Sequence, residues 1–284
     1  LVSAFDARLN SMTNLFVNSL LLYDLQCVYR LEKWRSENAG DLMQWIDAVH
    51  QTEVLCTLGT FAFNHPNFIF PGINTEQRLS GKSLGHPLID ESIRVVNDVH
   101  VDASQSIMII TGANMAGKST FLRSLGINVV LALAGAPVCA KQFECPFIEI
   151  RSGMRTADSL KENQSYFYAE LDRLKSIMDE LRSGKPLLVL LDEILKGTNS
   201  TDKQAGSIAL VKQLTAYACL ALIATHDLAL GDLEKAFPGK VVNYSFEPNI
   251  ENDQLSFDYK LKRGIAQKMN ATFLMEKMGI INRR

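Results

Sequence analysis

The distribution of apolar residues predicts an α/β core that begins near residue 107. Short uninterrupted apolar runs, which are typical of strands buried on both faces of a parallel sheet, alternate with segments whose apolar residues recur at helical spacing. Repeated strand–helix units of this kind predict a doubly wound, mostly parallel sheet with helices on both faces. The predicted strands are 107–110, 147–150, 186–191 and 220–224, and the predicted helices begin after 120, near 162 and at 201–202.

The chain before this core shows helical spacing from residue 1 to about residue 64. A first helix with an apolar face ends at 38–40, and a second helix begins after Asp41, whose side chain suits an N-cap. Turn residues follow, so we predict a helical segment over 1–72 and a second domain over 73–284.

Some predicted strands lie outside the alternating core. Residues 93–96 and 99–101 are β-branched and suit short strands. Residues 241–246 and 255–261 alternate between apolar and polar types, which indicates a peripheral antiparallel hairpin.

Residues 111–120 read T-G-A-N-M-A-G-K-S-T and fit the phosphate-binding pattern G-x-x-x-x-G-K-[ST]. A predicted strand precedes the loop and a predicted helix follows it, so backbone N–H groups and a helix N-terminus would converge on an anion. A chance match in a turn is the alternative, and the flanking elements disfavour it. We expect Lys118 to reach the β- and γ-phosphates from an exposed position, and Ser119 to hold Mg²⁺. The other loop residues predicted at the nucleotide are Gly112, Asn114, Gly117 and Thr120.

Polar residues that suit ATP hydrolysis follow two other predicted strands. Asp192 would reach the Mg²⁺ shell, and the adjacent Glu193 can polarise the attacking water. His226 follows the next strand, at the edge where open α/β sheets bind ligands, and could hydrogen-bond the γ-phosphate or the water. A surface acidic pair and a structural histidine are the alternatives. We favour function because three elements converge on one crevice.

Composition narrows the class of protein. Of the 284 residues, 47% are hydrophobic and 21% are charged, which is typical of a soluble globular protein. The net charge of −2 gives no global basic field for nucleic acid. Five scattered cysteines without a C-x-x-C pair indicate reduced thiols in the cytoplasm, with no zinc site and no disulfide framework. The uncharged stretch 124–140 contains glycine and proline and suits a buried helix better than a membrane span.

Basic residues collect near the end of the sequence, and a solvated surface is their simplest interpretation. They are Lys260, Lys262, Arg263, Lys268, Lys277, Arg283 and Arg284.

In combination, these motifs resemble the ATPase domain of the MutS family of DNA mismatch-repair proteins, a branch of the ABC-type ATPases. The resemblance covers about residue 84 to the end of the chain. Beyond 111–120, it rests on Asp192-Glu193-Ile194 with Gly197-Thr198, Ala224-Thr225-His226, 158–160 with 165–171, Gly85-His86-Pro87, Asn97-Asp98 and the closing segment 264–280.

The resemblance implies a P-loop NTPase that binds ATP with Mg²⁺ and forms a homodimer with composite sites. Ser165 would cross the dimer interface to the γ-phosphate of the partner's nucleotide, although residues 163–165 could also be a simple helix cap. His86 and Val95 are also expected at the nucleotide. The chain is too short for the family's mismatch-binding and clamp domains, so DNA contacts are expected through regions that are missing or weak here.

This sequence departs from the family pattern at several positions. Ala113 and Ala116 replace a proline and a glycine of the loop, and an alanine at 116 would be strained if that position required positive φ. Leu195-Lys196 replaces Gly-Arg. Arg94 replaces an aromatic residue that packs on adenine, and its guanidinium could stack there instead.

The sequence thus predicts an ATPase module that hydrolyses ATP slowly as a conformational switch in mismatch repair or related DNA metabolism. One alternative is a non-catalytic ATP-binding scaffold. Another is an ABC-type ATPase of a different repair complex or of a transporter, although the transporter signature L-S-G-G-Q is absent.

Overall fold

The computed structural model describes residue 16 and residues 18–154, 166–195, 197–251 and 254–267. The chain divides into two compact units, 1–60 and 61–284. The domain boundary near residue 72 stays a prediction.

The first unit is helical. Helix α1 spans Tyr23–Asn38 and helix α2 spans Leu42–Asn64. The first helix therefore ends within 38–40 and α2 begins directly after Asp41, as predicted. The apolar side chains of these helices are largely exposed, and Cys27 is the buried residue of α1. No helix in the described ranges is long and apolar enough to cross a membrane.

The second unit contains the remaining described elements. The strands are β1 (Gly72–Asn74), β2 (Arg78–Leu84), β3 (Asn97–Asp102), β4 (Ile107–Gly112), β5 (Gln142–Pro146), β6 (Glu149–Gly153), β7 (Leu187–Asp192), β8 (Cys219–Thr225), β9 (Val241–Phe246), β10 (Pro248–Glu251), β11 (Gln254–Phe257) and β12 (Lys262–Arg263). The helices are α3 (Lys118–Leu133), α4 (Tyr166–Arg182), α5 (Ser200–Leu214), a 3₁₀ turn (Leu228–Asp232) and α6 (Leu233–Ala236).

The main sheet has the strand order β12-β9-β4-β8-β7-β6 among the described residues. Every neighbouring pair in it is parallel except β12 with β9. A smaller sheet has the order β1-β5-β2-β3 and is mostly antiparallel. The unit is therefore a mixed α/β fold around a parallel sheet, as the apolar runs predicted.

Side chains of the central strands point alternately into two apolar clusters. Met108 and Ile110 belong to a cluster with residues of α3 and of the smaller sheet. Ile107 and Ile109 belong to a second cluster with residues of α4, α5 and α6. Because both faces of the sheet are buried, every residue of β4, β7 and β8 is buried, which explains their uninterrupted apolar runs.

The predicted peripheral hairpin is wrong. Strand β9 pairs in parallel with β4 inside the main sheet, and β11 pairs with β10 instead. Asn243 and Ser245 produced the alternation of apolar and polar residues that is typical of a surface strand, but both are buried. Asn243 is tolerated because its Nδ2 donates to the Gly231 carbonyl at 2.7 Å.

Three predicted boundaries also change. Residue 93 lies in a turn and residues 94–96 form an irregular connection rather than a strand, whereas β3 confirms the strand predicted at 99–101. Strand β6 begins at Glu149 rather than at 147. Helix α5 is capped by Asn199 rather than by residues 201–202, because the Asn199 Oδ1 accepts the Asp202 backbone N–H at 2.9 Å.

Candidate functional site

The predicted phosphate loop connects β4 to α3. Gly112 has φ 148°, and a Cβ there would lie 2.4 Å from the Phe246 carbonyl oxygen, so only glycine fits. Gly117 has φ 106° and immediately precedes α3. The left-handed non-glycine residue of the loop is Met115, with φ 67°. Ala116 has no positive φ and is buried, so alanine at 116 does not cause the strain considered from the sequence.

Lys118 lies inside this loop, and the expectation of an exposed side chain is wrong. Its side chain is buried, with 5% of the residue exposed. The ammonium group donates to the carbonyl oxygens of Gly112 at 2.7 Å and Ala113 at 2.8 Å. The lysine therefore supports the loop structurally as well as supplying charge to it.

A cavity of about 690 Å³ lies between the loop and the carboxyl end of β7. Its walls include residues that the sequence predicted from three separate segments. They are Val95, Asn114, Gly117, Lys118, Ser119, Thr120, Asp192 and Glu193.

Asp192 and Glu193 adopt different backbone conformations at the end of β7. Asp192 is the last residue of the strand and is buried. Glu193 has φ 54°, a left-handed conformation that costs a non-glycine residue ~1–2 kcal/mol. Its backbone N–H donates to the Ala224 carbonyl at 2.8 Å, which extends the pairing of β7 with β8 by one residue.

His226 lies beside Glu193 in the turn that follows β8. Its Nδ1 is 3.4 Å from the Glu193 Oε1. The next residue, Asp227, caps the 3₁₀ turn by accepting the Ala229 backbone N–H at 3.0 Å. This turn therefore brings an imidazole to the carboxylate that the sequence proposed as a base, although His226 is not among the residues that line the cavity.

Three other residues proposed for the nucleotide have different outcomes. The His86 Nδ1 accepts the Leu88 backbone N–H at 3.2 Å, and His86 does not line the cavity. Burial, and then the charge of Arg123, lower the pKa of His86. Ser165 lies outside the described residues, so its proposed role stays a prediction.

Arg94 does not line the cavity, so it is not placed to stack on a base there. Its Nη1 donates to the Cys139 Sγ at 2.9 Å, and its guanidinium lies 5.6 Å from the centre of the Phe68 ring.

Several residues of the cavity wall lie outside the motifs and were not predicted from the sequence. Ile89 and Ile93 contribute apolar surface beside Val95, and their spacing of four residues was the available signal. Tyr259 approaches the loop so closely that a Cβ on Gly117 would lie 3.1 Å from its ring. Asn97 holds this segment, because its Nδ2 donates to the Tyr259 carbonyl at 3.0 Å.

The described members of the C-terminal basic cluster all have partners. The Lys260 Nζ donates to the Val96 carbonyl at 2.9 Å, and the Lys262 Nζ lies 2.8 Å from Asp258. Arg263 pairs with Glu234. The cluster members beyond residue 267 lie outside the described residues.

Ser119 and Asp192 supply a hydroxyl and a carboxylate, the hard oxygen ligands that Mg²⁺ prefers. The described part of the chain has no group of three or more His, Cys, Asp or Glu side chains that could hold a metal ion. These two residues therefore fit an ion that takes its remaining ligands from phosphate and water.

Comparison with known proteins identifies the family. Residues 108–280 match the model of MutS domain V. The DNA mismatch repair protein MutS of Thermotoga sp. (strain RQ2) is 32% identical over 247 residues, which is 85% of this chain and 30% of the relative. The MutS protein of Chlorobium phaeovibrioides (strain DSM 265 / 1930) is 32% identical over 81% of this chain and 26% of its own length. The MutS protein of Sorangium cellulosum (strain So ce56) is 31% identical over 88% of this chain and 28% of its own length. The chain thus spans less than a third of these relatives, and it belongs to the MutS family.

Proposed function

We propose that this chain is the ATPase module of a MutS-type mismatch-repair protein, a doubly wound P-loop NTPase that hydrolyses ATP slowly as a conformational switch. One observation carries the proposal. The phosphate loop and the acidic pair Asp192-Glu193, which are separated by more than seventy positions in the sequence, line the same cavity. The names of the relatives support the repair context.

The cavity suits a nucleoside triphosphate in both chemistry and shape. Lys118 and the backbone N–H groups of the loop would bind the β- and γ-phosphates, since they combine a point charge with a helix N-terminus. Apolar side chains of Ile89, Ile93 and Val95 would pack against the base, and the Tyr259 ring lies on the same cavity wall.

Ser119 and Asp192 would hold Mg²⁺ through their side-chain oxygens. The bound ion would neutralise part of the phosphate charge. Asp192 is almost fully buried and lines the cavity from the end of β7.

Glu193 would polarise the attacking water as a general base. Its backbone is left-handed, and the His226 Nδ1 lies 3.4 Å from its carboxylate. His226 would contact the γ-phosphate or the water from the neighbouring turn.

Steady-state ATP hydrolysis in the presence of Mg²⁺, paired with calorimetric ATP titration, tests this function. We expect Glu193→Gln to bind ATP as the parent does but to hydrolyse it ~10²–10⁴-fold more slowly, because the amide cannot act as a base. ATP binding without turnover by the parent would instead support the non-catalytic scaffold. No ATP binding at all would refute both.

The dimer with composite sites is also part of the proposal. Its sequence support is Ser165, which lies outside the described residues. If Ser165 acts on the partner's nucleotide, Ser165→Ala should retain ATP binding but lose ATP-dependent dimerisation and hydrolysis. A change in melting temperature alone would mean that Ser165 only caps a helix.

A further inference from the structure

The first turn of α5 contacts the turn that carries His226. Lys203, which is partly buried, places its Nζ 3.4 Å from the His226 Nε2. The next residue, Gln204, donates from its Nε2 to the Asp227 Oδ1 at 3.3 Å. Lys203 and Gln204 of α5 therefore contact His226 and Asp227, respectively, in the turn after β8. This double contact fixes the position of Lys203 relative to the imidazole.

The chemistry of these groups determines the direction of their hydrogen bonds. An ammonium group can only donate, so the Nε2 that faces Lys203 must accept. In a neutral imidazole the hydrogen is then on Nδ1, and that atom faces the Glu193 Oε1 at 3.4 Å. A carboxylate only accepts, so the order Lys203, His226, Glu193 has each group donating to the next.

We propose that Lys203 is a positioning residue of the candidate ATPase site, which keeps the His226 proton on Nδ1 and so orients the Glu193 carboxylate. Without the ammonium group, the imidazole can carry its proton on Nε2. The Nδ1 lone pair would then face the carboxylate, and the contact that orients Glu193 would be lost. The effect on hydrolysis rests on the proposed function, whereas the effect on the proton position does not.

Lys203→Met removes the ammonium group but keeps an unbranched stem and a comparable helix propensity. Lys203→Arg keeps a charged donor. Lys212→Met is the matched control, since Lys212 is exposed in the last turn of the same helix, away from the site. The chain has five histidines, so His226→Gln assigns the His226 signals in ¹⁵N NMR spectra.

The first readout is the proton position on His226 in nucleotide-free protein, measured by ¹⁵N NMR on the neutral form of the ring. We expect an Nδ1–H ring in the parent and in Lys212→Met, and a shift toward Nε2–H in Lys203→Met.

The second readout is hydrolysis. We expect kcat to fall about tenfold in Lys203→Met, the size of one lost hydrogen bond, with the ATP dissociation constant within about twofold of the parent value. Lys203→Arg should restore kcat to within about threefold of the parent.

An Nε2–H ring in the parent, or an unchanged ring in Lys203→Met, would overturn the inference whatever the ATPase activity. A shifted proton with unchanged kcat would show that Lys203 does not position the catalytic carboxylate. A parent without ATPase activity would refute the proposed function, and the proton position would still decide whether Lys203 orients His226.

Discussion

Replacing Gly112 with alanine tests the closest backbone approach in the candidate site. Gly112 ends β4 and pairs with Phe246 of β9. A Cβ on Gly112 would lie 2.4 Å from the Phe246 carbonyl oxygen and 3.3 Å from its carbonyl carbon. Because these atoms belong to the main chain, one strand must move before the methyl group fits.

The expected loss of stability has two parts. Forcing a Cβ into positive φ costs ~1–2 kcal/mol, and overpacking a well-packed region costs ~1–3 kcal/mol more. Gly112→Ala should therefore lower the free energy of unfolding by ~2–5 kcal/mol. For a domain of this size each kcal/mol shifts the melting temperature by ~2–4 °C, so we expect a decrease of about 4–20 °C. ATP binding should be lost as well, because the loop begins at this residue.

Gly184→Ala separates the two parts. Gly184 has φ 83° after α4, and a Cβ there would meet nothing within 4 Å. This control has the backbone strain without the collision, so it should cost only ~1–2 kcal/mol.

Far-UV circular dichroism during heating and in urea is the suitable assay. The two tryptophans, Trp34 and Trp45, both lie in the first unit, so tryptophan fluorescence does not report directly on the sheet. If Gly112→Ala were no more destabilising than Gly184→Ala, the close approach of β4 to Phe246 would be refuted.

Three further predictions concern other residues. Lys118→Ala should abolish ATP binding in calorimetry, and an unchanged ATP affinity would contradict this prediction. The same substitution should lower the urea concentration at the unfolding midpoint, because it removes two hydrogen bonds to loop carbonyls, each worth ~0.5–1.5 kcal/mol. The Ser104 hydroxyl, followed by the Gln105 backbone N–H, lowers the pKa of Asp102, so its stabilisation is present above the unfolded-state pKa of ~4 and is lost as the pH falls through the folded-state pKa. Urea titrations of Asp102→Asn should thus show a weaker loss of stability below about pH 4 than the parent, and equal slopes would count against this assignment. Brief thiol labelling of the native chain should modify Cys56 first, because the other four cysteines are buried; mass spectrometry showing Cys145 or Cys219 labelled equally fast would contradict their burial.

The parallel core was predictable because its signal is local. Strands such as β4 and β7 are buried on both faces, so an uninterrupted apolar run identifies each of them without knowledge of its neighbours. Strand β9 lies in the same sheet but was misassigned. Its Asn243 is buried and bonded to the Gly231 carbonyl, a partner that only the folded chain reveals.

The candidate site divides in the same way. Lys118, Ser119 and Asp192 lie in contiguous motifs at strand ends, so spacing alone brings them to one edge of the sheet. Tyr259 lines the cavity, and a hydrogen bond from the Asn97 side chain to the Tyr259 carbonyl holds it there. These two residues are 162 positions apart in the sequence. No periodicity or motif encodes that contact, because it depends on how the smaller sheet meets the segment after β11.

The backbone after β7 carries strain where the proposed chemistry needs a fixed carboxylate. Glu193 and Leu195 are both left-handed, at φ 54° and 58°. Each left-handed conformation costs ~1–2 kcal/mol, which is large relative to the ~5–15 kcal/mol net stability of a typical domain. Hydrogen bonds hold both residues in place, from the Glu193 N–H to the Ala224 carbonyl and from the Leu195 N–H to the Glu170 Oε1 at 2.6 Å. Such strain persists only where the surrounding structure enforces it. The sheet and α4 therefore fix the Glu193 backbone, and the contact with His226, which Lys203 holds in turn, orients the carboxylate.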